Sequence, residues 1–338
     1  MKTQPQPPPP SPTTADRTTG SRVEVRGFRV GDGPRLVEAW RHSAPGDPIS
    51  PDRFRSLVLL DANFDPEGLR VAVEGDRVVG AAYAVRRLTP MTGTDLEPEQ
   101  GWIPFFFVAP AARGRGLGRR LLTDALDWLD GHGRTRVDFS SYTPHYFLPG
   151  LDAEAYPRAA GLLASLGFRT LYEAAAMDRA LVGYRLPEHV GRRLGELTER
   201  GCRFGTPSDD DLVELLALAG NHFNPDWARA IRECLAAGTP PDRIVVVRNP
   251  AGRLAGWAMH GAYESVDERF GPFGVLEEAR GTGLGEVLLH LVLERMRARG
   301  AHSAWFLWTG ERSPAARLYR KAGFTTTRVF RVLRRETA

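Results

Sequence analysis

The chain says one phrase twice. Arg113-Gly114-Arg115-Gly116-Leu117-Gly118 returns as Arg280-Gly281-Thr282-Gly283-Leu284-Gly285, about half the chain length further on. Each copy follows an apolar, strand-like run, Trp102 to Val108 or Phe270 to Leu276, and opens an amphipathic helix. Glycine lets the chain adopt φ > 0 and lets backbone approach a ligand closely. Successive amides in such a turn can face one concavity and cradle an anion. The following helix adds its own unpaired N–H groups and the positive end of its dipole. Without a ligand the phrase is a tight strand-to-helix turn. Two copies in the same context indicate duplicated domains with duplicated anion sites.

The helical reading rests on spacing. After the first copy the apolar set is Leu117, Leu121, Leu122, Ala125, Trp128 and Leu129; after the second it is Leu284, Val287, Leu288, Leu291, Val292 and Met296. Both preceding strands contain a proline, Pro104 or Pro272, which a regular central strand rejects, so a bulge or splayed strand is expected near each turn. Neither copy carries the Gly-Lys-Ser/Thr of a P-loop. The last glycine of a dinucleotide fingerprint is replaced by Arg119 and Glu286.

The residues fit Arg/Gln-x-x-Gly-x-Gly/Ala, which resembles motif A of the GNAT superfamily of N-acetyltransferases. The second half continues the resemblance with Ala315-Ala316-Arg317-Leu318-Tyr319-Arg320-Lys321-Ala322-Gly323-Phe324; the first half has Ala159 to Phe168, ending Leu166-Gly167-Phe168, at the matching place. The likeness covers roughly residues 22–184 and 200–335. It implies two tandem GNAT-like α/β domains, each a mixed, mostly antiparallel twisted sheet flanked by helices. It also implies acetyl-CoA as cosubstrate, its pyrophosphate held by the turn amides. The implied cofactor residues are Phe107, Val108 and Arg113 to Gly118 in the first half, and Val275 and Arg280 to Gly285 in the second.

Acyl transfer from a thioester to an amine needs a neutral amine, donors for the oxyanion and a proton for the departing thiolate. In the family a Tyr on the last helix often supplies that proton, and Tyr319 holds its place; the alternative is a buried core tyrosine. The aligned residue of the first half is Leu163, which has no proton to give. Arg312 stands where many relatives carry Asn. The base stays open among Glu264, Asp267, Glu268, His260, Tyr263, Glu277 and a water chain. The expected function is acetyl transfer to a primary amine in a ternary complex, with the second domain catalytic. The acceptor is a small molecule or a peptide. The other reading is a non-catalytic acetyl-CoA-binding, sensing or structural protein.

Composition narrows the alternatives. At 338 residues and 42% hydrophobic, the chain suits two ordinary cores. The formal charge is +4, and nearly all the positive charge is arginine spread along the chain, with Lys2 and Lys321 the only lysines. A nucleic-acid partner is not expected. Cys202 and Cys234 form no Cys-x-x-Cys pair, so no metal is expected, buried free thiols are, and a cytoplasmic location follows. No run approaches the ~20 apolar residues of a membrane helix, and no membrane partner is expected. The sequence leaves the oligomeric state open.

Residues 1–20 are rich in Pro, Thr and Ser and are expected to be a disordered tail. The pattern then divides into domains 21–184 and 201–338 around a linker, 185–200, that reads as a helix. Between the glycine turn and the terminal Gly-Phe the first half is longer. The excess falls in Tyr142–Tyr156, which contains Tyr146-Phe147-Leu148-Pro149-Gly150. Such an insertion is expected to shape a pocket or an interdomain contact.

Overall fold

A computed structural model describes residues 22–336; the expected disordered tail lies outside the described residues. The first half runs β1 (Glu24–Gly27), α1 (Asp32–Ser43), α2 (Pro51–Phe54), β2 (Leu69–Glu74), β3 (Arg77–Val85), β4 (Gln100–Val108), α3 (Leu117–Gly131), β5 (Arg136–Phe139), α4 (Pro157–Ser165) and β6 (Arg169–Ala180). The helix α5 (Glu188–Glu199) follows. The second half repeats the order as β7 (Arg203–Gly205), α6 (Leu212–His222), α7 (Pro225–Ala236), β8 (Ile244–Arg248), β9 (Leu254–His260), β10 (Phe270–Val275), α8 (Leu284–Ala298), β11 (Ser303–Gly310), α9 (Pro314–Lys321) and β12 (Thr325–Glu336).

Two elements have local peculiarities. Helix α2 is one α-turn continued by a π-helical segment, Arg55–Leu59, in which the Leu60 N–H bonds Arg55 O at 2.9 Å. Strand β6 runs long and unbroken, because that stretch contains no Gly or Pro to turn it.

In each half the sheet separates two layers. Helix α3 packs on β2–β4 through Leu121, Leu122, Ala125 and Leu129, while Leu36, Trp40 and Phe54 from α1 and α2 cover the other face. In the second half α8 and the pair α6–α7 do the same. Apolar residues at helical spacing meet apolar residues at strand spacing, and this burial is the main favourable term.

The strand order joins the halves. One sheet reads β1-β2-β3-β4-β5-β12-β6-β11 and the other β10-β9-β8-β7. The last strand of each half therefore pairs with the penultimate strand of the other. β12 lies antiparallel to β5, with Arg334 opposite Asp138, and β6 lies antiparallel to β11. Between them β6 and β12 pair from Arg169–Arg334 to Asp178–Thr325. The cores follow the exchange. Ala175 and Met177 of β6 belong to the second-half core, and Leu333 of β12 packs with Leu163 and Phe168 of the first. Arg334 adds a bidentate bond to Asp138 at 2.6 and 2.9 Å.

Each half alone thus exposes a strand edge and lacks part of its core. Residues 1–184 and 185–338 produced separately should each aggregate or melt without a cooperative transition. Co-expression should restore a single complex, read by circular dichroism and gel filtration. A monomeric first half with a sharp native-like melt would show that the exchange is dispensable.

Candidate functional site

Both glycine turns have the conformation their sequence requires. Gly114 and Gly116 have φ of +79° and +75°, and Gly281 and Gly283 have +78° and +92°. Gly116 and Gly283 are the N-cap residues of α3 and α8. A Cβ on Gly114, Gly116 or Gly281 would meet nothing within 4 Å, so each turn presents open backbone at a helix N-terminus. The leading arginines fold back. Arg113 Nε donates to Val108 O at 3.0 Å and its guanidinium to Ser43 O at 2.8 Å; Arg280 Nε donates to Val275 O at 3.3 Å. Arg115 reaches Glu74 at 3.0 Å, and Thr282 Oγ1 donates to Ala279 O at 2.7 Å. Leu117 and Leu284 are buried anchors of the helices. A Cβ on Gly118 would touch Leu162 and Val108; one on Gly285 would touch Leu318 and Val275. Leu162 and Leu318 therefore hold equivalent places beside the two turns, each one residue before Leu163 or Tyr319.

The strands before the turns open into clefts. β4 pairs in parallel with β5 only from Gln100–Arg136 to Ile103–Phe139. β10 and β11 are joined still less, by a bridge between Arg269 and Trp305. The expected bulges are present. The register shifts between Tyr83 and Val85 opposite Pro104, and between Phe270 and Phe273 around Pro272. Beyond these points the halves diverge. β5 ends at Phe139, and Ser140, at φ +72°, turns the chain away. Aromatic side chains then pack the region: Trp40 stands 4.4 Å from Phe105, 5.7 Å from Phe107 and 5.2 Å from Phe147. β11 instead continues to Gly310, and a cavity of about 410 Å³ opens along it.

Tyr319 lies at this cavity together with Phe273, Phe306 and Ala315. Its ring packs among Phe270, Phe273, Phe306 and Phe324 at 4.5–6.1 Å. Its hydroxyl has no hydrogen-bond partner among the described residues, and burial pushes the phenol well above its ordinary pKa. It stays protonated near neutrality. Ser313 caps α9 by accepting from Ala316 N at 3.1 Å, which fixes the helix carrying it.

The rest of the cavity wall was not marked by the glycine motif. Tyr263 donates to Asp226 Oδ2 at 3.1 Å, and Arg229 donates to Asp226 Oδ1 at 2.8 Å. Asp226 is the one carboxylate among the lining residues, and both its oxygens are engaged. Asn224, the N-cap of α7, holds the Asp226 N–H at 2.9 Å. The phrase Asn224-Pro225-Asp226 was readable as a helix start but not as a pocket wall. The first half supplies Thr143, Tyr146 and Tyr172. The Tyr142–Tyr156 insertion therefore does shape a pocket, that of the second half. Tyr146 accepts from Arg269 at 2.8 Å and packs 5.2 Å from Trp308. Arg269, buried, is sandwiched against Tyr263 at 4.7 Å and donates to Glu264 at 3.0 Å. Arg53 of the first half donates to the same carboxylate at 2.7 Å.

Glu264, Glu268, Asp267 and His260 are each engaged by other groups. Burial alone would raise the Glu264 pKa, but Arg53 and Arg269 outweigh it and hold the group low. Glu268 accepts from the His302 and Ser303 amides, which lower it. Asp267 pairs with Arg243. His260 is buried, which lowers its pKa, and its Nδ1 contacts Asp267 O at 2.7 Å. Glu277 sits exposed on the 3₁₀ turn after β10. Arg312, at the position where Asn is common, is 92% exposed and lies 3.6 Å from Glu311. Cys202 and Cys234 are buried free thiols outside the cavity. Among the described residues no group of three or more His, Cys, Asp or Glu could hold a metal, and no helix is long and apolar enough to cross a membrane.

With this geometry in place, comparison with known proteins gives a consistent picture. The family model for the acetyltransferase (GNAT) family matches residues 35–145 and 210–324, one match per half. The chain belongs to that family and is by class an N-acetyltransferase. It is similar to a mycothiol acetyltransferase from Clavibacter michiganensis, 28% identical over 94% of this chain and 95% of that one. It is 30% identical to the mycothiol acetyltransferase of Thermobispora bispora, over 90% and 96% of the two chains. A tandem GNAT protein from the clavulanic acid biosynthesis pathway superposes with a TM-score of 0.63 over 93% of this chain and 98% of that one. At 18% identity that likeness speaks for the fold alone.

Arg53 and Arg269 approach Glu264 from the two halves, so their effects should not add. In a double-mutant cycle, Arg53→Ala and Arg269→Ala should show a coupling of about 0.5–3 kcal/mol in unfolding free energy. Arg269→Ala should be the costlier single change, since it also unstacks Tyr146 and Tyr263. Strict additivity in urea melts would mean that Glu264 does not link the halves.

Proposed function

We propose that the chain transfers an acetyl group from acetyl-CoA to the primary amine of a small molecule, by direct attack in a ternary complex seated in the second half. The observation that carries this reading is the cavity that runs from Tyr319 to Asp226, Tyr263 and Tyr146. Its volume is of small-molecule size. The mycothiol acetyltransferase relatives support a small-molecule acceptor over a peptide, and so does the loop from the first half that forms part of the wall.

The residues fit the cosubstrate where it can be tested, since Gly281 presents open backbone beside the N-terminus of α8. The amides of Arg280 to Gly285 would hold its diphosphate, with Val275 beside them on β10. Acetyl-CoA supplies an activated acetyl group on a thioester. Phe270, Phe273 and Phe306 keep water from the buried end of the cleft. Tyr319 holds a proton there and gives it to the departing sulfur. No thiol lines the cavity to form an acyl-enzyme, which favours direct attack. Asp226 is committed to Arg229 and Tyr263, so the proton of the amine is best taken by water at the cavity mouth. The first half keeps an open glycine turn, at Arg113 to Gly118 next to Phe107 and Val108, and is assigned cofactor binding without turnover. Leu163 and the packed aromatics beyond Phe139 favour that division.

Release of CoA thiol across a panel of small amines should detect turnover. Tyr319→Phe keeps the packing and removes the proton. Its kcat should fall by roughly 10²-fold, the low end for a general acid with a fair leaving group, with acetyl-CoA affinity little changed. A wild-type chemical rate would remove Tyr319 from the mechanism and leave the cofactor assignment standing. Gly281→Trp should abolish turnover while costing only a few kcal/mol of stability, because the strain lies in one left-handed residue. The same change at Gly116 should spare the chemistry and alter stability or acceptor affinity. If Gly116→Trp alone is dead, the halves have been assigned in reverse.

A further inference from the structure

The two glycine turns differ in one respect that the sequence motif does not show. The first is open at both Gly114 and Gly116. The second is open at Gly281 but covered at Gly283. A Cβ built there would lie 2.9 Å from Arg193 Cδ and 3.1 Å from its Nε. Arg193 belongs to α5, the helix that links the halves. That helix lies along α8 and carries His189, which meets Glu286 in the first turn of α8 at 3.4 Å. Val190 and Leu197 are buried in the second-half core and anchor α5 in that place. The stem of Arg193 thus crosses the glycine turn. Its side chain is 41% exposed, and among the described residues its guanidinium is engaged by Glu196, its neighbour one turn along α5, at 2.7 Å.

We propose that α5 is part of the second cofactor site, and that Arg193 is a binding residue for the diphosphate of acetyl-CoA. The proposal rests on the assignment of this turn to the cofactor. A guanidinium beside outward-facing amides completes a pocket for a dianion, and its planar fork matches two phosphate oxygens. Glu196 holds the side chain across the turn while no anion is present. An i,i+3 pair at this exposure is worth little, so a diphosphate can displace it. The first turn has no such cover among the described residues, so the two sites should differ in affinity.

Calorimetric titration of the full chain with acetyl-CoA tests this. Gly281→Trp identifies the binding step that belongs to the second turn. Arg193→Ala should weaken that step about tenfold to a hundredfold, the range of one charge-assisted pair, and leave any other step unchanged. Arg193→Lys should recover part of the loss, and Glu196→Gln should bind as well as wild type or better. The ligand-free melting temperature of Arg193→Ala should stay near wild type, because the side chain is exposed. Acetyl-3′-dephospho-CoA separates the two phosphate sources, since the same fold-loss with this analogue places Arg193 on the diphosphate. Wild-type affinity in Arg193→Ala overturns the proposal, and so does a loss that vanishes with the dephospho analogue. If Gly281→Trp removes no step, the assignment of the turn itself has failed, which is a different result.

Discussion

The pairing of β6 with β12 is the interaction on which the rest depends. Each strand begins in one half and completes the sheet and core of the other. Hydrogen bonds in the ladder contribute modestly one by one. Their larger effect is topological, because neither half can satisfy its backbone or bury its apolar face by itself. The alanines of β6 show how tightly the seam is packed. Ala174 and Ala176 meet Phe330 and Val332 on one face, and Ala175 turns into the second-half core on the other. Larger side chains at these positions would force the layers apart.

The seam also decides where the cavity lies. β6 holds β11 from Ser303 to Gly310, so β11 stands free of β10 yet stays ordered. The insertion before α4 is tied to β12 by the bridge Leu151–Arg331 and by Arg328, which binds Asp152 at 2.8 Å and Asp47 at 2.6 Å. This brings Tyr146 to the second-half cleft. Arg269 receives it from one side while Glu264, held by Arg53, closes the other. The cavity wall is therefore built by both halves, although Tyr319 and the glycine turn before α8 belong to one.

Much of this was legible in the residues, and the limit is physical. Glycine turns, helix starts and prolines in strands are local signals, because one residue's backbone preference suffices to state them. Pro104 and Pro272 announced their bulges, and Leu163 against Tyr319 announced an asymmetry between the halves. Strand order is not local. Nothing in the pattern of Arg169–Ala180 says which of two similar edges it will join. Arg334 and Asp138 are far apart in sequence, and only the fold makes them cross-strand partners. For the same reason Arg269 read as one more scattered arginine. Its meaning comes from Tyr146 and Glu264, which converge on it only after the strands have exchanged.

The exchange is reciprocal in connection but unequal in length, and this bears on why the two halves differ around the strands that follow their glycine-turn helices. β12 pairs with β5 over Arg136–Phe139, whereas β6 pairs with β11 over the longer run Ser303–Gly310. Past Phe139 the chain leaves β5 and turns away at Ser140, whose hydroxyl bonds Leu148 O at 2.6 Å. The space where a cleft wall would stand is taken by Phe147 against Trp40 and Phe105. Leu163 lies fully buried in the core on the α3 side of the first-half sheet, whereas Tyr319 borders the second-half cavity. A phenol at position 163 would place a hydroxyl in that apolar core, and leaving it unpaired would cost on the order of 1–3 kcal/mol. A fully buried leucine carries no such penalty. Two positions that match in the repeat thus sit in different surroundings.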